Sequence, residues 1–586
     1  MARVRGGEMV ARVLETAGVH ELFTLHGGHL DPILDACARH GFRIIDVRHE
    51  QAAGHMADGW ARVTGRVGVC AVTAGPGTTD VVTAVANAYL DAVPMLILGG
   101  RSPLMDDETL PLQGMPQLEM MRPITKWSRT VYHSERIAEF TAMALRQATT
   151  GRPGPVYLEL PIDVLFGGVE EERMVWPQHF LPDAPPAARP EAVEQAIEWL
   201  AGAERPAIMA GGGVWFAQAA AELRRFAEIT QTPVFANAKA RGALPEDGPL
   251  GFNGFSLMVS GSAREQAGPP DVILVLGARL GMFTGGRRSI LPPDARVIQV
   301  DIWPEEIGRN RTVHLGIAGD CREVLRQLIA AAEQRSWPAR TDWLRALAAA
   351  KGARAEAFAP VLDSDAAPIH PHRLAHDIAG FLRDDAIVVA DGGEAADWIG
   401  SALRQRRPGC FLSHGYLGCL GVGLPFGMAA KLARPERQVL VVTGDGSVGL
   451  NFAEFDTMVR HNLPVVTVVF NDSAWGMSKH GQEIMFQGRT VATELGLVHY
   501  EKAAEGFGCY AELVERPDDI VPALERAFAS GRPACLNVLI DGKPIAPVTL
   551  ALMGMAAPPP QAAPTAPAAE GKEGETLLPY YGKRKV

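Results

Sequence analysis

At 586 residues, 47% hydrophobic and 21% charged, the chain is long enough for roughly two to four domains with full cores. A net charge of -11 excludes the broad positive field that a nucleic acid or an anionic membrane would require, so any phosphate site is local. Seven scattered cysteines without a CxxC pair fit reduced thiols, and the absence of an export signal or a membrane-length apolar run points to a cytoplasmic setting.

Strand-like apolar runs alternate with helix-like stretches in three blocks, the pattern of parallel sheets covered on both faces. The fold expected is therefore α/β, with three doubly wound parallel-sheet domains. The first, 1–170, contains FRIIDVRHE, VGVCAVTAG, PMLILGG and GPVYLELP, and the proline-rich QHFLPDAPPAARP closes it. The second, 190–357, holds RPAIMAGGG, TPVFAN, DVILVLGA and ARVIQVD before an alanine- and arginine-rich helical stretch. After the linker FAPVLDSDAAPIHP comes the third, 370–550, with DAIVVADGG, QVLVVTGDG, LPVVTVVFND and PACLNVLI. Residues 551–586 form a C-terminal extension, a Pro/Ala spacer followed by ETLLPYYGKRKV.

The segment VVTGDGSVGLNFAEFDTMVRHNLPVVTVVFND reads as strand, helix, strand, with Asp445 at the end of the first strand and Asn471 at the end of the second. A right-handed crossover places those two ends side by side at the edge where open α/β sheets bind ligands. The carboxylate of Asp445, the amide oxygen of Asn471 and the main-chain carbonyl of Ser473 are hard oxygen ligands suited to Mg2+. Gly444 and Gly446, with Ser447 next, permit close backbone approach to a phosphate. No Walker lysine is present, so the metal is expected to bridge a diphosphate. The tripeptide alone is an ordinary turn; the 24 residues between it and Asn471 make it more.

With that interval the sequence resembles the thiamine diphosphate enzymes, whose motif usually ends Asn-Asn where this chain has Asn471-Asp472. DVRHEQAAGHMADGWAR, VTAGPGTTD, PLQGMPQ, PITKWS, GRPGPVYLELP and HGYLGCLGVGLP are similar to blocks of the superfamily of acetohydroxyacid synthase, benzaldehyde lyase, oxalyl-CoA decarboxylase and 2-hydroxyacyl-CoA lyase. The resemblance covers about residues 5 to 550. It implies thiamine diphosphate and Mg2+ as cofactors, with the N-terminal domain holding the pyrimidine and the third the diphosphate. Glu50, opening the helix QAAGHMADGWARVTG, would be the buried acid that hydrogen-bonds the aminopyrimidine, burial raising its pKa. Gly75, Pro76 and Gly77 would let the backbone approach the pyrimidine. Gly418 would offer a carbonyl to its amino group, and Leu420 would be the wedge that bends the cofactor. Asp391, Gly392 and Gly393 would form a second loop beside the diphosphate. Because the two halves lie in different domains, the resemblance implies sites shared between subunits, a homodimer at least and commonly a homotetramer.

The segment LHGGHLD resembles benzaldehyde lyase, which places His29 and Gln113 over the thiazolium, with His26 as a further substrate contact and Glu494 as a spare carboxylate within reach. Arg404 and Arg407, together with Tyr581 and Lys583 of the tail, are expected to hold the phosphates and adenine of a coenzyme A thioester, and the tail to act as a lid. The middle domain holds AGGGV and Asp301 at the end of ARVIQVD, with Asp320 beyond, and acidic residues at strand ends suit ribose hydroxyls, so a nucleotide is expected there. The resemblance implies FAD as in acetohydroxyacid synthases, ADP as in the CoA-handling branch, or nothing as in benzaldehyde lyases, and ADP is the one expected. The reaction expected is cleavage of a 2-hydroxyacyl-CoA, such as 2-hydroxyisobutyryl-CoA, to formyl-CoA and an aldehyde or ketone, reversible as carboligation. The alternatives are a benzaldehyde lyase-like acyloin lyase and an acetohydroxyacid synthase.

Overall fold

The computed structural model describes residues 3–254, 261–284 and 290–556. Three six-stranded sheets follow one another along the chain, all their pairings parallel, with helices on both faces. In the first, the strands are Glu21–Thr24, Arg43–Asp46, Gly68–Val72, Met95–Arg101, Trp127–Thr130 and Pro155–Pro161. Counted in chain order they lie 2-1-3-4-6-5 across the sheet. The third sheet repeats that order with Ile387–Ala390, Phe411–Ser413, Val439–Gly444, Val466–Asn471, Tyr510–Val514 and Ala534–Leu539. The middle sheet differs: Pro206–Ala210, Val234–Ala236, Gly251–Asn253, Val272–Leu276, Arg296–Asp301 and Leu315–Ala318 lie 3-2-1-4-5-6. A two-stranded antiparallel ribbon, Arg3–Arg5 with Gly168–Glu170, ties down the start of the first domain.

These orders say where ligands belong. Where the strand order reverses, the loops leaving two adjacent strands turn to opposite faces and open a crevice. In the first sheet that point lies between Glu21–Thr24 and Gly68–Val72, which lead into His26–His29 and Thr73–Gly75. In the third it lies between Ile387–Ala390 and Val439–Gly444, which lead into Asp391 and Asp445. In the middle sheet Gly211 and Gly277 face each other there: a Cβ on Gly211 would lie 2.5 Å from the Gly277 carbonyl. Close passage of two backbones thus accounts for the glycines of AGGGV.

Fully buried strands such as MLILGGR and VLVVTG read as continuous apolar runs because both faces are covered. The helix Glu50–Thr64 packs on Gly423–Ala433, where a Cβ on Gly59 would stand 3.0 Å from Phe426 Cα. One apolar core consequently runs from the first domain into the third, from Phe23 and Tyr157 to Phe426 and Cys535. The middle domain has cores of its own. All seven cysteines are buried and free. Among the described residues no helix is long and apolar enough to cross a membrane. Tyr581 and Lys583 lie outside the described residues.

Candidate active site

The first-domain half of the site is built around Glu50. Extended backbone at His49 ends the approach from the strand, the His49 ring caps the helix by accepting the Gln51 N–H, and Glu50 follows as the first helical residue. Its carboxyl is buried, and a Cβ on Gly77 would lie 3.5 Å from its Oε1, so the glycine turn passes directly over it. Burial lifts the Glu50 carboxyl above the usual range, aided by Asp80. Gly75, at φ +63, makes the turn that only glycine adopts readily. A Cβ there would meet Gln113 Cβ at 2.9 Å, so Gln113 packs against the turn. Pro76 begins the short helix that follows.

His29 is half-buried with Nδ1 3.2 Å from Thr73 Oγ1, a bond across the reversal point that leaves Nε2 free, and burial lowers its pKa. His26 does not join it. Its ring is 67% exposed and paired with Asp31 at 2.9 Å. One residue escaped the sequence reading. Gln117 is buried, accepts the Gly75 N–H with Oε1 at 3.1 Å, and donates from Nε2 to the Gly100 carbonyl at 2.6 Å and Tyr157 hydroxyl at 2.8 Å. It ends the block PLQGMPQ, but only the folded chain shows which glutamine of that block carries the turn.

In the third domain Asp445 is buried at its strand end. Its two carboxylate oxygens accept backbone N–H groups, Gly446 at 2.9 Å and Ala474 at 3.1 Å, the second from beyond the neighbouring strand. Burial and the nearby Asp472 carboxylate push its pKa up to about 7. A buried carboxylate held by amides and faced by another carboxylate lacks positive charge, which is what a divalent cation brings. Asn471 is oriented by donating from Nδ2 to Asn537 Oδ1 at 2.9 Å and to the Val498 carbonyl at 3.2 Å, while its Oδ1 accepts the Ser473 N–H at 3.1 Å. Ser473 adopts φ +59, and its carbonyl, which accepts from Leu495 at 2.8 Å, keeps one lone pair. Asp445, Asn471 and Ser473 thus form one oxygen-rich corner that fits Mg2+.

The loop 413–421 runs beside that corner. Asp391 braces it: Oδ1 accepts the N–H of Gly392 at 2.7 Å and Gly421 at 3.1 Å, and Oδ2 that of Gly423 at 3.0 Å. Its oxygens are thereby committed to protein, leaving Gly392, Gly393 and the backbone of Gly444 and Gly446 as the cradle. Ser447 Oγ accepts the Gly421 N–H at 3.0 Å, which leaves its own O–H to donate. Gly418, at φ +65, has open space where a Cβ would be.

Gly393, Gly418, Leu420 and Met477 line a cavity of about 1150 Å³ that continues to Gly211, Asp301 and Asp320 in the middle domain. Glu50, Gly75, His29 and Gln113 are not among its lining residues, so this cavity does not join the two half-sites within one chain. Asp301 sits at its strand end with its carboxyl pushed up to about 6 by burial, and its Oδ1 accepts the Trp303 N–H at 2.9 Å. Asp320 caps the helix Cys321–Ala332 through the N–H groups of Arg322 and Glu323.

The basic group before the loop does not reach this cavity, contrary to expectation. Arg404 donates to the carbonyls of Ser401, Ala402 and Leu403 and so caps the helix Glu394–Ala402, while Arg407 is exposed and its backbone packs on Gly242. Glu494 is also exposed, pairs with Lys479 at 2.9 Å and lies on the strand-like turn opposite Ala474. Met477, Val548 and Leu552 were missed as cavity walls, since apolar residues on short helices carry no signal of their own.

Models of the thiamine pyrophosphate enzyme family match all three domains: the N-terminal TPP binding domain over 4–122, the central domain over 193–328 and the C-terminal TPP binding domain over 391–538. The chain belongs to the thiamine pyrophosphate enzyme family. Relatives to which it is similar include acetolactate synthases and 2-hydroxyacyl-CoA lyases. It is 36% identical over 542 residues to the acetolactate synthase large subunit IlvG of Mycobacterium tuberculosis, covering 92% of this chain and 96% of that one. To a probable acetolactate synthase large subunit of Methanocaldococcus jannaschii it is 34% identical, covering 92% of each. To 2-hydroxyacyl-CoA lyase 2 of Danio rerio it is 33% identical, covering 91% of each. As a thiamine pyrophosphate enzyme it has the Gly75 turn and Asp445 just after strands that flank the reversal points of its outer sheets, with Glu50 following and Asn471 ending the strands next to them.

Proposed function

We propose that the chain is a thiamine diphosphate- and Mg2+-dependent carbon–carbon lyase that cleaves a 2-hydroxyacyl-CoA, of which 2-hydroxyisobutyryl-CoA is one candidate, to formyl-CoA and an aldehyde or ketone. Bound cofactor supplies the carbon that stabilises the negative charge left when the C1–C2 bond breaks. Asp445, Asn471 and Ser473 hold the metal, and the glycines around them admit the diphosphate. Glu50 holds a proton for the aminopyrimidine, and Gly418 and Leu420 set its pose. His29, with Nε2 free, moves the proton between substrate oxygen and solvent, and Gln113 donates beside it. The cavity does not join the half-sites within one chain, which supports a homodimer as the working unit, with a homotetramer its natural extension, in the cytoplasm.

The observation that carries the lyase reading is the cavity of about 1150 Å³, roomy enough for a phosphate-bearing substrate and lined by Arg152 and Arg322 as well as by Lys239 and Arg279, which also face Asp91. Its middle-domain lobe, with Asp301 and Asp320, is where we place ADP. The tail from 557, with Tyr581 and Lys583, remains the proposed closure over a CoA ester. Acetolactate synthase is the second reading, favoured by the higher identity to relatives of that name; an acyloin lyase is the third. Purified protein assayed with 2-hydroxyisobutyryl-CoA, pyruvate and benzoin, and extracted for bound nucleotide, separates the three. Formyl-CoA release without flavin supports the lyase; acetolactate from pyruvate with bound flavin overturns it.

A further inference from the structure

One buried carboxylate collects hydrogen bonds from all three domains. Asp91 follows the helix Val82–Leu90, and its side chain is 3% exposed. Oδ2 accepts from Arg62 Nη1 at 2.8 Å and from Lys239 Nζ of the middle domain at 3.0 Å. Oδ1 accepts the backbone N–H of Tyr416, in the third domain, at 3.2 Å and faces Arg279 Nη2 at 3.4 Å. Arg62 extends the contact: it donates to the Ser413 carbonyl at 3.0 Å while its Nε and Nη2 hold Asp58, which Asn87 also reaches at 2.7 Å. The cationic shell holds the Asp91 carboxyl well below the usual carboxylate range.

The placement concerns the loop that carries Gly418 and Leu420. A Cβ on Gly415, at φ +88, would lie 2.0 Å from Asp91 Oδ2, so the loop backbone rests directly on the carboxylate. At the far end Gly421 is fixed within its own domain, its N–H by Asp391 and Ser447 and its carbonyl by Asn451 Nδ2 at 2.7 Å. Between these two anchors the chain closes with the Gly418 N–H on the Gly415 carbonyl at 3.1 Å. One anchor belongs to the third domain; the other is lent by the first.

We infer that Asp91 is a positioning residue for the cofactor: by holding Tyr416 and seating Gly415 it fixes where Gly418 and Leu420 stand in the cavity. This rests on the assignment of Gly418 and Leu420 to cofactor contact. Asp91→Asn keeps the volume and the acceptor for Tyr416 but takes from Lys239 its carboxylate partner and leaves Arg62 with Asp58 alone. Gly415→Ala leaves every charge in place and displaces the loop from the carboxylate.

The test measures thiamine diphosphate binding to the full chain by tryptophan fluorescence with excess Mg2+, together with amide exchange of the peptides 411–421 and 50–64. For both variants the expected result is a dissociation constant raised at least tenfold and faster exchange in 411–421, with 50–64 as protected as in the wild type. A dissociation constant within twofold of wild type, or faster exchange in both peptides alike, overturns the inference. If neither variant folds, the cofactor-free wild type decides: slow exchange at Tyr416 supports the brace, and exchange at the open-chain rate overturns it. Wild-type protein that does not bind the cofactor would instead overturn the cofactor assignment, while the exchange measurement still reads the brace.

Discussion

Gln117 Oε1 accepts the backbone N–H of Gly75 at 3.1 Å, inside the first domain, while the same side chain's nitrogen serves Gly100 and Tyr157. A turn at positive φ is thereby held from below by a side chain with no solvent contact. Gln117→Ala removes the acceptor of the buried Gly75 N–H and one partner each of the Gly100 carbonyl and the Tyr157 hydroxyl, at about 1–3 kcal/mol for each group left unpaired that water cannot reach. Chemical denaturation should show a loss of about 2 kcal/mol or more, and cofactor affinity should fall with it. A variant with unchanged stability would mean that water replaces the amide.

Glu50→Gln keeps the shape of the acid and removes its proton. Turnover should fall by roughly 10²–10⁴-fold, the range of a general acid–base group, and steady-state kinetics reads it directly. The stability of cofactor-free protein should move the other way. A carboxyl raised above 4.5 binds more protons folded than unfolded, so wild-type stability declines as pH rises from that value through the folded pKa. Glu50→Gln removes the decline, and thermal midpoints of the two proteins should therefore diverge above pH 4.5, the variant gaining.

Among the described residues His29 is bonded through Nδ1 to Thr73, two residues before the Gly75 turn. His29→Ala should reduce turnover by about 10²-fold and leave the dissociation constant for thiamine diphosphate within about twofold of wild type. Because burial lowers its pKa, the ring is neutral at pH 7, and loss of activity on acidification should set in below the ordinary histidine range. Equal losses of turnover and cofactor affinity would instead make His29 a packing residue.

The helix Pro547–Ala556 is docked by its first turn. Thr549 Oγ1 donates to Glu394 Oε1 at 2.5 Å and the Val548 N–H to Asp397 at 3.0 Å, while Glu394 also pairs with His480 at 3.0 Å. The pairing raises the His480 pKa above 6.5. Its contribution is therefore complete below pH 6.5 and is lost as pH rises through the folded value. Limited proteolysis should cut near residue 547 faster above that value than below it. In Glu394→Gln the cutting rate should be high at both pH values.

How far the sequence spoke for itself depended on where a residue's partners lie. The strand–turn–helix–strand unit from Val439 to Asn471 is local, so its spacing alone located Asp445 and Asn471, and the alternation of strands and helices announced three parallel sheets. Glu50 was singled out only through the family resemblance, since a glutamate opening a helix after a strand is by itself an ordinary feature of a helix start. Gln117 and Asp91 were not legible, since their partners sit up to 325 residues away and no spacing encodes them. Arg404 and Arg407 misled for the converse reason. A run of arginines suggests phosphate, yet one of them spends its donors on the end of its own helix, and Arg406 between them pairs with Asp247. The glycines of AGGGV suggested a ligand and turned out also to be demanded by the neighbouring strand end.

The apolar core that passes without a break from Phe23 to Cys535 has a consequence for inheritance. The outer domains share an interior and so must lose structure together, whereas the inserted middle unit, with its own strand order and its own interior, can melt by itself or be exchanged for a relative's. Calorimetry of such a chain would show two events rather than one, and a hybrid carrying a foreign middle unit would alter what the far lobe of the cavity accepts, keeping its thiamine machinery where the new unit still brings cations to Asp91 in place of Lys239 and Arg279.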